Sequence, residues 1–327
     1  MVGEPNSAGD IANAGRLAHN GATTAQSGGW VMKWDELLAM ERVVEETNDW
    51  RHRPTNVYKD NGLALVSKVA ASDRDLKAAV RAAVDAIGGI RRALNPGDRV
   101  LLKANYNSPD PLPAATDLPF LAAVVDLLRE EGITDLTLGE RSGWPSMPTH
   151  DVLEKMGVFA LGREMGIPVI DFDPGPWMDV RMGPEARWWK SVAFPKALKQ
   201  FDKIVYLPCM KHHFLATYTM SLKLAMGLTH PKEMVYMHAD FRGGKPEEPM
   251  YLKMIELNLA VQPDLIIMDG RKAFVTEGPI KGEMVEPGVI MASGDQIALD
   301  AEGLKVLKSY PRDNMLKAPV WEMPIIQ

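Results

Sequence analysis

One cysteine among 327 residues, Cys209, removes several kinds of protein at once. It leaves no partner for an intramolecular disulfide and cannot by itself hold a zinc or iron–sulfur site of the multi-cysteine type. Any metal in this chain would have to use His, Asp, Glu or water. Basic charge is also short: 37 Lys and Arg stand against 43 Asp and Glu, a net charge of −6. That balance disfavours non-specific attraction to nucleic acid or to an anionic membrane surface. No apolar run reaches the roughly 18 residues that a membrane-spanning helix needs, and the N-terminus lacks a charged stretch followed by an apolar signal core. The chain therefore reads as cytoplasmic. Gly-x-Gly-x-x-Gly, Walker A and Gly-x-Ser-x-Gly patterns are missing, which disfavours the common nucleotide sites and serine-hydrolase chemistry. Internal repeats are missing as well.

What is present is a hydrophobic content of 46%, enough for a large core. Residues 1–28 are rich in Gly, Ala, Asn, Ser and Thr and read as a mobile arm. Residues 29–70 read as an N-terminal extension, helical over 34–50 and extended over 63–69, and residues 71–327 as one α/β catalytic domain. Within it Ser72 and Asp75 open a helix like a capping box, and Asn95, Pro96 and Gly97 close it. Strands are expected at 99–104, 133–139, 167–172, 203–207, 265–268 and 288–292. Helices are expected at 118–131, 149–166, 217–227, 251–261 and 296–310. This alternation predicts an α/β fold with a largely parallel sheet, helices on both faces in Rossmann-like layers, and an N-terminal helical extension.

In such sheets ligands bind beyond the carboxyl ends of the strands, so polar residues there carry the most weight. They are Lys103, Asn105, Glu140, Asp171, Asp173, Lys211, His212, His213 and Asp269. His212, His213, His230 and His238 fall close together, interleaved with Lys211, Lys223 and Lys232. Lys223 sits in an apolar segment and is expected to be partly buried, which pairs a lysine or lowers its pKa; snorkelling out of the core is the competing reading. Two histidines and a carboxylate could form a facial metal site. His213 and His238 with Glu140 or Asp269 are the candidates, against a purely hydrogen-bonded role for either histidine. Lys103, Lys211 and Lys223 could receive an organic anion, or be used up in separate salt bridges to Glu140, Asp269 and Asp295. Glu277, in a tight Thr-Glu-Gly-Pro turn, and Asp300, inside the last helix, complete the substrate-binding candidates with Lys103 and Asn105. Asp295 is placed to cap the last helix.

The pieces Leu102-Lys103-Ala104-Asn105, Thr116-Asp117, Leu138-Gly139-Glu140 and Pro208-Cys209-Met210-Lys211-His212-His213 then recur in a telling order. They continue through Ser221-Leu222-Lys223, Gly227, Met268-Asp269-Gly270, Glu277-Gly278-Pro279, Gly294-Asp295 and Leu299-Asp300. Together they resemble the domain of unknown function 362 family. The resemblance implies an α/β domain that many relatives fuse to a ferredoxin-like module. This chain has no cysteine quartet for such a module, so no iron–sulfur cluster is expected, and Leu224 stands where relatives usually place asparagine. The arrangement is also similar, more weakly, to nickel-dependent lactate racemases.

The expected function is a metal-dependent enzyme, an oxidoreductase or a lyase or isomerase, acting on a small organic anion such as a carboxylate or phenolate. A divalent iron, zinc, manganese or nickel ion would be held by His213, His238, Glu140 and Asp269. Lys211, Lys223 and His213 would serve catalysis. The alternatives are a metal-free isomerase or lyase using Lys and His proton transfer, and a non-catalytic small-anion binding protein. Partners are a small anionic substrate, with no nucleic acid and no membrane; a homo-oligomer is compatible with this reading.

Overall fold

Segments such as Val-Leu-Leu-Lys and Leu-Ile-Ile-Met present apolar groups to both sides of an extended chain, so they belong at the centre of a sheet covered on both faces. The computed structural model describes residues 36, 39–71, 75–144, 146–243, 250–314 and 316–327. The arm expected over residues 1–28, and Ser72, lie outside the described residues. The strands are β1 (Glu46–Asn48), β2 (Lys59–Asp60), β3 (Leu63–Ala64), β4 (Val66–Ala70), β5 (Val100–Lys103), β6 (Leu136–Glu140), β7 (Val169–Asp171) and β8 (Trp177–Arg181). They continue as β9 (Ser191–Pro195), β10 (Lys203–Tyr206), β11 (Cys209–His213), β12 (Thr217–Thr219), β13 (Leu265–Phe274), β14 (Met284–Val285) and β15 (Val289–Ser293). The helices are α1 (Leu76–Asp85), α2 (Leu118–Glu130), α3 (Thr149–Lys155), α4 (Val158–Met165), α5 (Ser221–Leu224), α6 (Pro231–Gly243), α7 (Met250–Glu256) and α8 (Gln296–Lys308).

The main sheet runs β12-β11-β13-β10-β5-β6-β7, with β14 and β15 also pairing with β13, and β4 with β15. Its centre is parallel: β11, β13, β10, β5, β6 and β7 all point the same way. Its flank is not, because β12, β14, β15 and β4 each pair antiparallel. The fold is thus α/β with mixed sheets, which corrects the expectation of largely parallel, Rossmann-like layers. The two faces of β5 enter separate apolar clusters, Leu101 on one side and Val100 and Leu102 on the other. α1 and α2 cover the second face; α8 packs into the first.

The helical extension expected over residues 34–50 is also corrected. Over the described part of that segment burial alternates residue by residue from Met40 to Trp50, and β1 pairs parallel with β8. Period two is the pattern of a strand half-covered on one face, which the two adjacent valines, Val43 and Val44, tolerate well. Helices α1, α2 and α8 start where Asp75, Asp117 and Asp295 accept a backbone N–H three residues on, as N-caps do. The helix expected over 149–166 is split at Gly157, whose φ of +76° belongs to the left-handed region.

A lysine-rich cavity as the candidate functional site

The parallel centre of the sheet brings the ends of β5, β6 and β11 to one side, and there a pocket opens. It is small, with a cavity volume of about 40 Å3, and is lined by Lys103, Asn105, Asn107, Glu140, Arg141, Ser142, Gly143, Lys211, Thr219, Lys223, Leu224, Met226, Gly227, Met234 and Pro279. Five of the charged and polar site candidates from the sequence meet here: Lys103, Asn105, Glu140, Lys211 and Lys223.

Lys103 and Glu140, at the ends of neighbouring strands, form an ion pair of 2.6 Å with each side chain only 1% exposed. Glu140 also accepts the backbone N–H groups of Tyr106 (3.0 Å) and Arg141 (2.8 Å), and Lys103 donates to the carbonyl of Ala104 (2.6 Å). Burial pushes the Glu140 carboxyl up and the Lys103 amine down, against the attraction of each for the other. Gly227 is what lets this pair fit. A Cβ there would stand 2.5 Å from Lys103 Nζ and 2.7 Å from Glu140 Oε1. Gly227→Ala is therefore expected to cost about 1–3 kcal/mol of stability, read by urea unfolding, as overpacking does.

Among the described residues the remaining cations form no ion pair; Asp110 acts on Lys211 and Asp173 on Arg141 only at longer range. Among the described residues Lys211 Nζ donates to the carbonyls of Pro113 (2.9 Å) and Ala114 (2.5 Å). Arg141 reaches the carbonyls of Gly143 and Met226 at 3.4 and 3.3 Å, and its Nε is buried without an acceptor. Lys223 sits on the short helix α5, and no carboxylate or acceptor among the described residues pairs with its amine. Burial pushes Lys211 down to about 8; burial, then the charges of Lys211 and Arg141, push Lys223 down to about 7. Of the salt bridges weighed for the three lysines, the one that forms among the described residues is at Lys103. Arg141 and Thr219 escaped the sequence reading. Arg141 directly follows a β-strand and was open to the same rule that found Glu140, whereas Thr219 was hidden by the helix expected over 217–227; residues 217–219 are strand β12.

The metal centre expected from His213, His238, Glu140 and Asp269 does not assemble. Among the described residues no three His, Cys, Asp or Glu side chains are grouped so that they could hold an ion. Each donor is turned to another task. Nδ1 of buried His213 accepts the N–H groups of Leu215 (3.1 Å) and Ala216 (3.2 Å), which places the ring proton on Nε2 and leaves no free lone pair on the neutral ring. Burial, followed by nearby positive charge, holds this imidazole well below its ordinary pKa, hence neutral. His238 Nδ1 donates to the carbonyl of Met234 (2.7 Å), with its ring edge-on to Trp144. Both oxygens of Asp269 are engaged by Arg271. The metal-dependent enzyme, with the oxidoreductase, lyase or isomerase activity attached to it, is overturned together with its divalent cofactor.

Two other expected substrate residues lie outside the cavity. Glu277 is exposed with a φ of +51°, and it is its carbonyl that matters, receiving Nδ1 of His212 at 3.0 Å. Gly278 follows at φ +62°, where a Cβ would strike the carbonyl of His212 at 1.9 Å. Asp300 is fully buried behind α5. Its carboxylate accepts the N–H groups of Ser221 (2.9 Å) and Leu222 (3.0 Å) and the hydroxyl of Ser221 (2.6 Å), so it fixes the turn that carries Lys223. Thr217, at the start of β12, adopts φ +67°, a strained backbone for a β-branched residue.

The family model named "Domain of unknown function (DUF362)" matches residues 100–305, which includes every side chain of this cavity. The chain belongs to the DUF362 family. Among curated relatives, this DUF362 protein is 30% identical over 239 residues to the "Thylakoid-associated protein sll1697" of Synechocystis sp. (strain ATCC 27184 / PCC 6803 / Kazusa), covering 72% of this chain and 71% of that protein. Among solved structures it has a weak likeness to the lactate racemase apoprotein from Thermoanaerobacterium thermosaccharolyticum, with a TM-score of 0.46 and 11% identity over 74% of this chain. The match spans 56% of that longer structure. No helix among the described residues is long and apolar enough to cross a membrane.

Proposed function

We propose that the cavity binds the anionic group of a small molecule, using lysine and arginine side chains and no metal. One observation carries this reading. Four cations, Lys103, Arg141, Lys211 and Lys223, line a single pocket with one carboxylate, Glu140, and that carboxylate is already saturated by Lys103 and two backbone N–H groups. Buried positive charge with no carboxylate in ion-pair contact is costly even where acids lie farther off, as Asp110 does from Lys211 and Asp173 from Arg141, and an incoming anion lowers that cost. Leu224, Met226, Met234 and Pro279 form the apolar part of the wall, which suits a ligand with a short hydrocarbon portion beside its charge. A carboxylate bridging Lys211 and Lys223 would gain charge-assisted hydrogen bonds of about 1.5–3 kcal/mol each.

The test is calorimetric titration of butyrate and of inorganic phosphate in the presence of EDTA. Lys223→Met is expected to weaken butyrate binding roughly ten- to hundredfold, which is the loss of one such bond. Binding that disappears with EDTA, or that is equal in the two proteins, contradicts the reading. A pH dependence follows. The amines of Lys223 and Lys211 are pushed down to about 7 and about 8, so both are cationic below that range and neutral above it. Butyrate affinity measured by the same titration is expected to fall as pH rises through that window, and the lower of the two steps is expected to vanish in Lys223→Met.

A further inference from the structure

We infer that Lys223 is a reactive amine that condenses with the carbonyl carbon of a small ligand whose anionic group is held by Lys211 and Arg141. The inference deepens the anion-binding reading and rests on it, because the anionic group is what would bring the carbonyl to the amine. The geometry points to covalent capture rather than to one more charge contact. Lys211 is already tied by two carbonyls and Arg141 by two more, so their heads are fixed. No acceptor among the described residues pairs with the amine of half-buried Lys223. It is nevertheless held in place, since Asp300 grips the first two residues of its helix through three hydrogen bonds. An amine that is positioned but unengaged, and flanked by two cations that disfavour its protonation, has its lone pair available, which is how a lysine becomes nucleophilic near neutrality.

The step balances without an oxidant or a reductant. The Nζ lone pair forms a bond to the carbonyl carbon while the C=O π pair moves to oxygen, and a proton passes from nitrogen to that oxygen. The nitrogen lone pair then expels the hydroxyl group, which takes up a second proton and departs as water, leaving a C=N bond to Lys223. Carbonyl compound plus amine thus gives imine plus one water. The ligand class is a short 2-oxo acid or an aldehyde acid, with the carboxylate toward Lys211 and a short chain toward Leu224 and Met226.

The experiment is incubation of the full chain with pyruvate, trapping with borohydride, and peptide mass spectrometry. Borohydride supplies the hydride that fixes the imine as a stable secondary amine. The expected result is one reduced adduct on the peptide carrying Lys223, suppressed by excess butyrate, absent from Lys223→Arg and retained in Lys232→Arg. The yield is expected to rise as pH passes upward through about 7, opposite in sign to the fall of butyrate affinity. The absence of any adduct in a protein that still binds butyrate overturns the inference and leaves the anion site standing. Adducts spread over many lysines and unaffected by Lys223→Arg overturn it too. A protein that binds neither butyrate nor phosphate, with a trapped adduct that butyrate does not suppress, overturns the anion-directed form stated here and the proposed function with it.

Discussion

Lys103→Met is expected to destabilise the protein by about 3–5 kcal/mol, the usual cost of removing one member of a buried ion pair. The pair is closed from water, with each side chain 1% exposed. Met replaces the lysine stem at similar length but leaves Glu140 with only the amides of Tyr106 and Arg141. The penalty carries a sign in pH. Burial already raises Glu140, and losing Lys103 removes the largest influence that lowers it. A carboxyl whose folded pKa lies above its unfolded one binds protons more readily in the native state, so the penalty is full above the folded pKa and shrinks as pH falls below it. Urea unfolding should therefore show Lys103→Met closer to wild type in acid than at neutral pH. The double variant Lys103→Met with Glu140→Gln should recover part of the loss at neutral pH, because a buried pair replaced as a whole leaves no orphaned charge.

Asp300→Ala is the second large effect. The carboxylate sits inside α8 and answers two backbone N–H groups and a hydroxyl at the start of α5. Those are the amides a helix cannot satisfy within itself. Leaving them buried and unpaired costs about 1–3 kcal/mol apiece, so about 2–6 kcal/mol for the two amides together. Asp300→Asn, which keeps an acceptor oxygen, should lose less. Because this turn carries Lys223, Asp300→Ala should also weaken butyrate binding at temperatures where the variant is still folded. The native carboxyl is pushed up to about 6 by burial, above its ordinary value. Wild-type stability should accordingly gain from this group as pH falls through about 6, and Asp300→Asn should lack that gain in unfolding midpoints measured across the same window.

Much of this architecture can be read from the chain. The apolar strand ending at Lys103, the helix capped by Asp117, the strand ending at Glu140 and the last helix capped by Asp295 all stand where propensity and capping place them. Each is decided by neighbours a few residues away. Pairing direction is not local: the expected strands 265–268 and 288–292 follow one another with no helix between, and it takes the partner strand to show that β15 runs antiparallel to β13. Residues 217–227 misled for a related reason. Leu, Met and Ala are strong helix formers, but Thr217, Tyr218 and Thr219 are strand formers drawn onto β11, so the helix begins only at Ser221.

The site divides the same way. The rule that polar residues at strand ends converge selects Lys103, Asn105, Glu140 and Lys211, which line one cavity, and the apolar setting of Lys223 points to its partial burial. What the residues themselves could not disclose is which lone pairs are free. Asp269 is taken by Arg271 only two residues on, and His213 by amides two and three residues on. Those short-range bonds decide that a histidine and carboxylate inventory fit for a metal does not become a metal site.

The central claim is that Lys223 is an uncompensated cation site that an anion completes. The most direct measurement is proton uptake on binding: calorimetric titration of butyrate at about pH 7.5, repeated in buffers of different ionisation enthalpy. An anion beside the amine raises its pKa, so wild type should take up a fraction of a proton per butyrate bound, and Lys223→Met should take up markedly less and bind more weakly. Butyrate binding with no proton uptake, and with the same affinity in wild type and Lys223→Met, would contradict the account.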